Sequence, residues 1–216
     1  MSQANDSITV TPGTGATVAT HLASGKEYQV IMKAGPTGHI EGSVPTYTMI
    51  IPDVTEAANK VFFDLWNGSA SNIIKIQGMW VIGQSDVNGD VLSMRLNWFR
   101  TNTVGTGGTA FTYKNTAVGP TIFPKDTTNP ALPAGVSARS APAGGAATES
   151  YCDSSYHNAD DTVTAMVNQF VNMIKDPTRG EQAFTLNPSE GFKAVQGTVS
   201  PSGAAAYTIF IDFSVE

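Results

Sequence analysis

Leu92, Met94, Leu96 and Trp98 alternate with Ser93, Arg95, Asn97 and Phe99, and this period of two constrains the fold more than any other feature of the chain. Such alternation marks a β-strand with one buried face and one wetted face. The pattern returns from Glu27 to Ala34, where Tyr28, Val30 and Met32 oppose Gln29, Ile31 and Lys33. It returns again at the end, where Tyr207, Ile209, Ile211 and Phe213 share a face. Thr46 to Ile51 reads as a strand that stops at Pro52, and the aromatic, β-branched run Lys60 to Trp66 reads as another. The turn-like Asn67-Gly68-Ser69 follows it. Between NIIKIQGMWVIGQ and LSMRLNWFRT lies Asn88-Gly89, so Asn72 to Thr101 is expected to form a β-hairpin. A hairpin of that length needs more sheet around it.

From Asn115 to Ser150 the composition shifts, with Pro120, Pro124, Pro130, Pro133 and Pro142 accounting for five of the 12 prolines. This density excludes a helix and disfavours a central strand, because each proline removes a ladder donor. The expectation is an extended Pro/Gly-rich surface segment over 115–150, lying across its own or a neighbouring subunit. Thr162 to Ile174 fits both periods. Helix is preferred, since Asp160, Asp161 and Thr162 supply caps and Asp176-Pro177 a stop. Residues 1–26, Thr/Gly-rich with Ile8, Val10 and Val18 as scattered aliphatics, read as an N-terminal arm that a partner orders. Residues 27–216 then form a single mainly β domain. Many short strands punctuated by turns point to a β-sandwich, jelly-roll-like in type. No repeat of solenoid or propeller length is visible.

At 216 residues the chain suits one domain with an extension, given roughly 150 residues per domain, and can bury a sizeable core. Charged residues are 14%, and the net charge of −6 disfavours nucleic acid, whose binding needs clustered cations. A lone cysteine, Cys152, cannot form an internal disulfide, so packing or association holds the fold. The opening MSQANDSITV has neither the basic nor the apolar region of a secretory signal, and apolar stretches fall short of a membrane span. The expectation is a soluble chain made in a cytoplasm, with no membrane partner.

The residues offer little chemistry. His21, His39 and His157 are scattered, without the pairing of a metal site. Asp86, Asn88 and Asp90 open like a calcium loop, but Val91 and Asn97 stand where the glycine and the distal glutamate belong, so a tight turn is preferred. Cys152 and His157 are too close in sequence to read as a nucleophile and its base. Glu149, Asp153, Asp160 and Asp161 read as solvated loop carboxylates rather than a glycosidase pair. GTGGT, Gly105 to Thr109, lacks a P-loop lysine and reads as a flexible strand-end loop. Trp66, Trp80 and Trp98 lie in apolar strands, where core packing is favoured over a sugar platform. The sequons at Asn5 and Asn67 would matter only in a secretory pathway. No enzyme, metal or cofactor is expected.

Four pieces occur in order: FFDLWNGSASNIIKIQGMWVI, MRLNWFRTNTVGTGGTAFT, NPALPAGVSARSAPAGGA and NPSEGFKAVQGTV. Together they resemble tailed-bacteriophage virion proteins of the head-decoration or head-fibre kind. In that group a DLFN-like turn, an R-T-x-x-V-G-T-G-G-T-A loop and a D-P-A-L-P-A-x-V-x-A-R segment recur, matched here by Phe63 to Gly68, Arg100 to Ala110 and Asn129 to Arg139. The likeness spans Lys60 to Val215; Asn129 replaces the expected aspartate, and Met1 to Pro45 adds little. It implies a non-enzymatic capsid decoration protein, made in the host cytoplasm and carried on the capsid surface. Its implied partners are the major capsid protein and further copies of itself, a homotrimer being favoured. The expected capsid or subunit contacts are Ile8, Val10 and Val18 in the arm and Pro130, Leu132 and Pro133 in the proline-rich segment. The alternative is a carbohydrate-binding head, fibre or tail protein whose partner is a host surface glycan.

Overall fold

Alternating apolar residues drive the chain into strands, and strands bury one face only when a second layer covers it. In the computed structural model, residues 19–23, 26–30, 44–85, 92–142, 148–159, 169–171, 183–198 and 205–216 are described, and every regular element among them is a β-strand. The chain divides into two units, Met1–Gly42 and Ser43–Glu216. In the first, β1 (Ala19–Ala23) pairs antiparallel with β2 (Lys26–Val30). Strand β1 thus falls within the segment read as an arm, while Ile8, Val10 and Val18 lie outside the described residues.

The second unit contains β3 (Thr46–Thr55), β4 (Val61–Asn67), β5 (Ile74–Ser85), β6 (Leu92–Thr101), β7 (Thr109–Ala110), β8 (Thr112–Tyr113) and β9 (Thr121–Pro124). It continues with β10 (Val136–Ser140), β11 (Thr148–Ala159), β12 (Gln169–Val171), β13 (Phe184–Leu186), β14 (Glu190–Gln196) and β15 (Ala205–Val215). They form two sheets, β11-β6-β14-β4-β10-β7 and β12-β5-β15-β3-β9-β8, with β13 also on the edge of β5. The sheets pack against each other as a β-sandwich. Within them, β11-β6-β14-β4 and β12-β5-β15-β3 are antiparallel quartets, and the chain passes from one quartet to the other at every connection except β6 to β11. That interleaving is the jelly-roll order. The excursion β7 to β10, between β6 and β11, widens both sheets on one side.

This order overturns the expected hairpin. Strands β5 and β6 do not pair; β5 lies beside β15 and β6 beside β14 and β11, in opposite sheets. The reason is burial. As hairpin partners Ile76, Met79 and Val81 would lie beside Met94, Leu96 and Trp98 on one uncovered face, whereas in opposite sheets both sets reach the same core. Strand β3 also runs through Pro52, because the register slips between Tyr207 and Ile209, and the ladder thereby skips a residue that cannot donate. Asp53 takes a positive φ of 50° there.

Two further expectations are corrected. The segment 115–150 is not wholly extended surface chain, since β9 lies between β3 and β8, and β10 between β4 and β7. Its prolines flank the strands: Pro120 precedes β9, Pro124 ends it, and Pro133 and Pro142 bracket β10. Gln169–Val171, within the expected helix, is strand β12, because the free edge of β5 supplies ladder partners at Met79, Trp80 and Val81. The rest of that stretch lies outside the described residues.

The core is aromatic. Phe63, Trp98 and Phe192 meet with ring centroids 5.7–6.2 Å apart, and Tyr47 stacks on Phe213 at 5.6 Å. Each is fully buried, which stabilises the fold by about 1.5–3 kcal/mol per side chain. The indole Nε1 of Trp98 donates to Ser155 Oγ at 2.9 Å, and Ser155 Oγ and His157 Nε2 share a hydrogen bond at 2.6 Å.

Candidate functional site

Strand alternation turns Arg95, Asn97 and Phe99 outward while Met94, Leu96 and Trp98 fill the core. Beside them on β11, Tyr156 stands opposite Arg95, Ser154 opposite Asn97 and Tyr151 opposite Phe99. Tyr151 and Tyr156 are five positions apart and would face opposite ways on a regular strand. A register shift between Tyr151 and Asp153 leaves Cys152 unpaired, and this bulge brings both tyrosines to the outer face. They are 54% and 63% exposed. Gly197, whose N–H donates to the Arg95 carbonyl at 2.8 Å, and Thr198 close a third side. The result is a concavity of about 520 Å³ lined by Arg95, Asn97, Phe99, Tyr151, Tyr156, Gly197 and Thr198.

Arg95 is the only formal charge among those lining residues. The hydroxyls of Tyr151 and Tyr156 lie near its guanidinium and raise its pKa, Tyr151 most of all. Hydrogen bonds from Ser154, and then from Arg95, hold the Tyr151 hydroxyl below the usual phenol range. The Phe99 ring meets Tyr151 edge-on at 5.4 Å. On the floor, Asn97 Oδ1 is buried and has no hydrogen-bond partner. An exposed cation between aromatic walls is a surface suited to binding a ligand. The lining residues include no carboxylate, histidine or cysteine to move a proton or attack a substrate.

The four sequence pieces that carry the resemblance meet elsewhere, around β4. Asp64 is buried and its Oδ2 accepts the Gly105 N–H at 2.7 Å. Gly68 N–H donates to the Gly135 carbonyl at 2.9 Å. The Asn67 amide donates to the carbonyls of Asn72 and Leu186, and the Asn67 carbonyl accepts the Ser189 N–H. Arg100 reaches Glu190 at 2.6 Å and the Thr185 carbonyl at 2.7 Å. Burial raises the Asp64 carboxyl pKa, against the opposing pull of Gly105, Lys193 and Arg139. The loop expected to be a flexible strand end is therefore pinned over a buried carboxylate. Arg139 also donates to the Gly107 carbonyl.

The other sequence candidates separate. Pro130 is exposed and its carbonyl accepts the Tyr47 hydroxyl at 3.0 Å; Leu132 packs on the core, and the Pro133 carbonyl accepts the Val136 N–H. Trp98 is a core residue; Trp66 and Trp80 are half-buried, and Trp80 stacks on Phe210 at 5.0 Å. His157 is buried with Ser155, whereas Cys152 is half-buried at the bulge with its thiol pKa pushed up by burial. No group of three or more metal-ligating side chains occurs among the described residues. Asp86, Asn88, Asp90, Asp160, Asp161 and His39 lie outside them. No described helix is long and apolar enough to cross a membrane. Sequence reasoning placed Arg95, Asn97 and Phe99 on the wet face but missed Tyr151 and Tyr156, whose shared face depends on the bulge. No family model, curated protein or solved structure matches the chain.

Proposed function

We propose that this chain is a non-enzymatic structural component of a bacteriophage virion, a capsid decoration protein that binds the major capsid lattice as a homotrimer. One observation carries the reading: the four pieces behind the resemblance interlock around β4, where Asp64, Asn67 and Arg100 spend their side chains on hydrogen bonds to the backbone. Residues used in this way hold a fold; they do not perform a reaction. Exposed apolar side chains suit the contacts such a protein makes, with Val118 85% exposed and Val104 and Phe123 also open.

The test is to purify particles from a lysate of the organism that carries the gene and to probe them with antibody against this chain. Detection in many copies per head supports the proposal; absence from intact heads overturns it. Native mass by light scattering, against 22.7 kDa for one chain, tests the trimer. The second reading, a carbohydrate-binding head or fibre, gains from a different observation than expected. Its aromatic platform is the tyrosine groove beside Arg95 rather than a tryptophan surface.

A further inference from the structure

We propose that the groove between β6 and β11 binds an acidic saccharide, with Arg95 holding a carboxylate of the ligand and Tyr151 and Tyr156 packing on its sugar rings. This names the ligand class for the carbohydrate-binding reading and does not depend on the capsid reading.

The exposed groups select the ligand. Arg95 offers planar donors suited to a carboxylate, and its neighbours Tyr151 and Tyr156 carry neutral phenol hydroxyls that an anion outcompetes. A small inorganic anion would meet the arginine and leave the aromatic walls uncovered. A sugar acid meets both, through its carboxylate and the apolar faces of its rings. The exposed faces of Tyr151 and Tyr156 suit the C–H faces of sugar rings, and Phe99 holds Tyr151 in place. A volume of about 520 Å³ is within the roughly 300–1,000 Å³ of small-molecule sites. Asp153, beside Tyr151, is the acidic neighbour that opposes an anionic ligand. The bulge at Cys152 matters because it alone places both tyrosines on the arginine's face.

The experiment titrates the full chain by calorimetry with a glucuronate-containing tetrasaccharide, its carboxyl-reduced neutral counterpart, and inorganic phosphate. Saturable binding of the acidic sugar is expected, weaker by about tenfold for the neutral one, as suits loss of one charge-assisted pair. Arg95→Gln should abolish the preference for the acidic sugar, Tyr156→Ala should weaken both sugars, and Asp153→Asn should strengthen the acidic one. Arg95 and Tyr156 are exposed, so unchanged thermal melting of the variants will separate lost binding from lost folding. Three results would overturn the proposal: no saturable binding of the acidic sugar, equal binding of phosphate, or affinity untouched by Arg95→Gln. Absence of the chain from virions would leave these outcomes unchanged, so the two readings fail separately.

Discussion

The backbones of Gly68 and Gly135 lie against each other, joined by a 2.9 Å hydrogen bond, with no space for a side chain on either. A Cβ on Gly135 would sit 2.6 Å from the Gly68 carbonyl oxygen, and one on Gly68 would sit 2.8 Å from that of Gly135. Gly135 also has φ +88°, a region that side chains disfavour. This contact ties the turn after β4 to the start of β10 and so fixes the proline-rich segment to the sheet. Gly135→Ala should destabilise the domain by about 2–4 kcal/mol, read as a lower urea midpoint. An unchanged midpoint would show that the turn relaxes freely.

His157 makes stability depend on pH. Burial holds its imidazole pKa down at about 4, against an ordinary value of 6.5. As pH falls below 6.5 the unfolded chain takes up a proton that the folded chain refuses, so stability drops until pH nears 4. The loss attributable to this residue is about 3 kcal/mol at most. Asp64 acts with the opposite sign, since its raised carboxyl pKa stabilises the fold below the ordinary carboxylate range and loses that contribution as pH rises through the folded value. Comparison of the parent with His157→Gln isolates the histidine. Urea unfolding at pH 7, 6, 5 and 4.5 should show a steeper decline for the parent.

Ser155 joins two buried aromatic groups and has no substitute. Ser155→Ala removes the acceptor of Trp98 Nε1 and the hydrogen-bond partner of His157 Nε2. The expected cost is about 1–3 kcal/mol, because a buried indole N–H is left unsatisfied. Fluorescence of a variant retaining only Trp98 should report the change directly. Its emission should stay shielded from acrylamide while the protein is folded.

The Asp64 carboxylate anchors the glycine-rich loop. Asp64→Ala leaves the Gly105 N–H without its acceptor. Hydrogen exchange at the Gly105 amide should accelerate by about tenfold or more, as befits loss of a bond worth over 1 kcal/mol. Exchange at Met49 and Ile211, deep in the other sheet, should change far less.

Arg100 bridges β6, β13 and β14 through Glu190, the Thr185 carbonyl and the Phe184 ring, 4.7 Å away. Lysine cannot reproduce a planar group that stacks and donates in several directions at once. Arg100→Lys should cost about 1–2 kcal/mol in thermal or urea unfolding.

What the sequence determined by itself is local: where strands run and which side of each faces inward. Met94, Leu96 and Trp98, and Tyr207, Ile209, Ile211 and Phe213, are buried as their alternation requires, because side-chain direction follows from the pleat alone. Arg95, Asn97 and Phe99 were legible as an outer face on the same ground. Tertiary structure decided the partnerships. Asn88-Gly89 signals a hairpin, yet β5 and β6 part company, since which ladder a strand joins depends on every other apolar face seeking cover. Pro52 signals a stop, yet β15 supplies a partner whose register slips past it. The groove is the clearest case. No spacing in the sequence puts Tyr151 and Tyr156 on one side, and only the bulge at Cys152, imposed by pairing with β6, gathers them around Arg95.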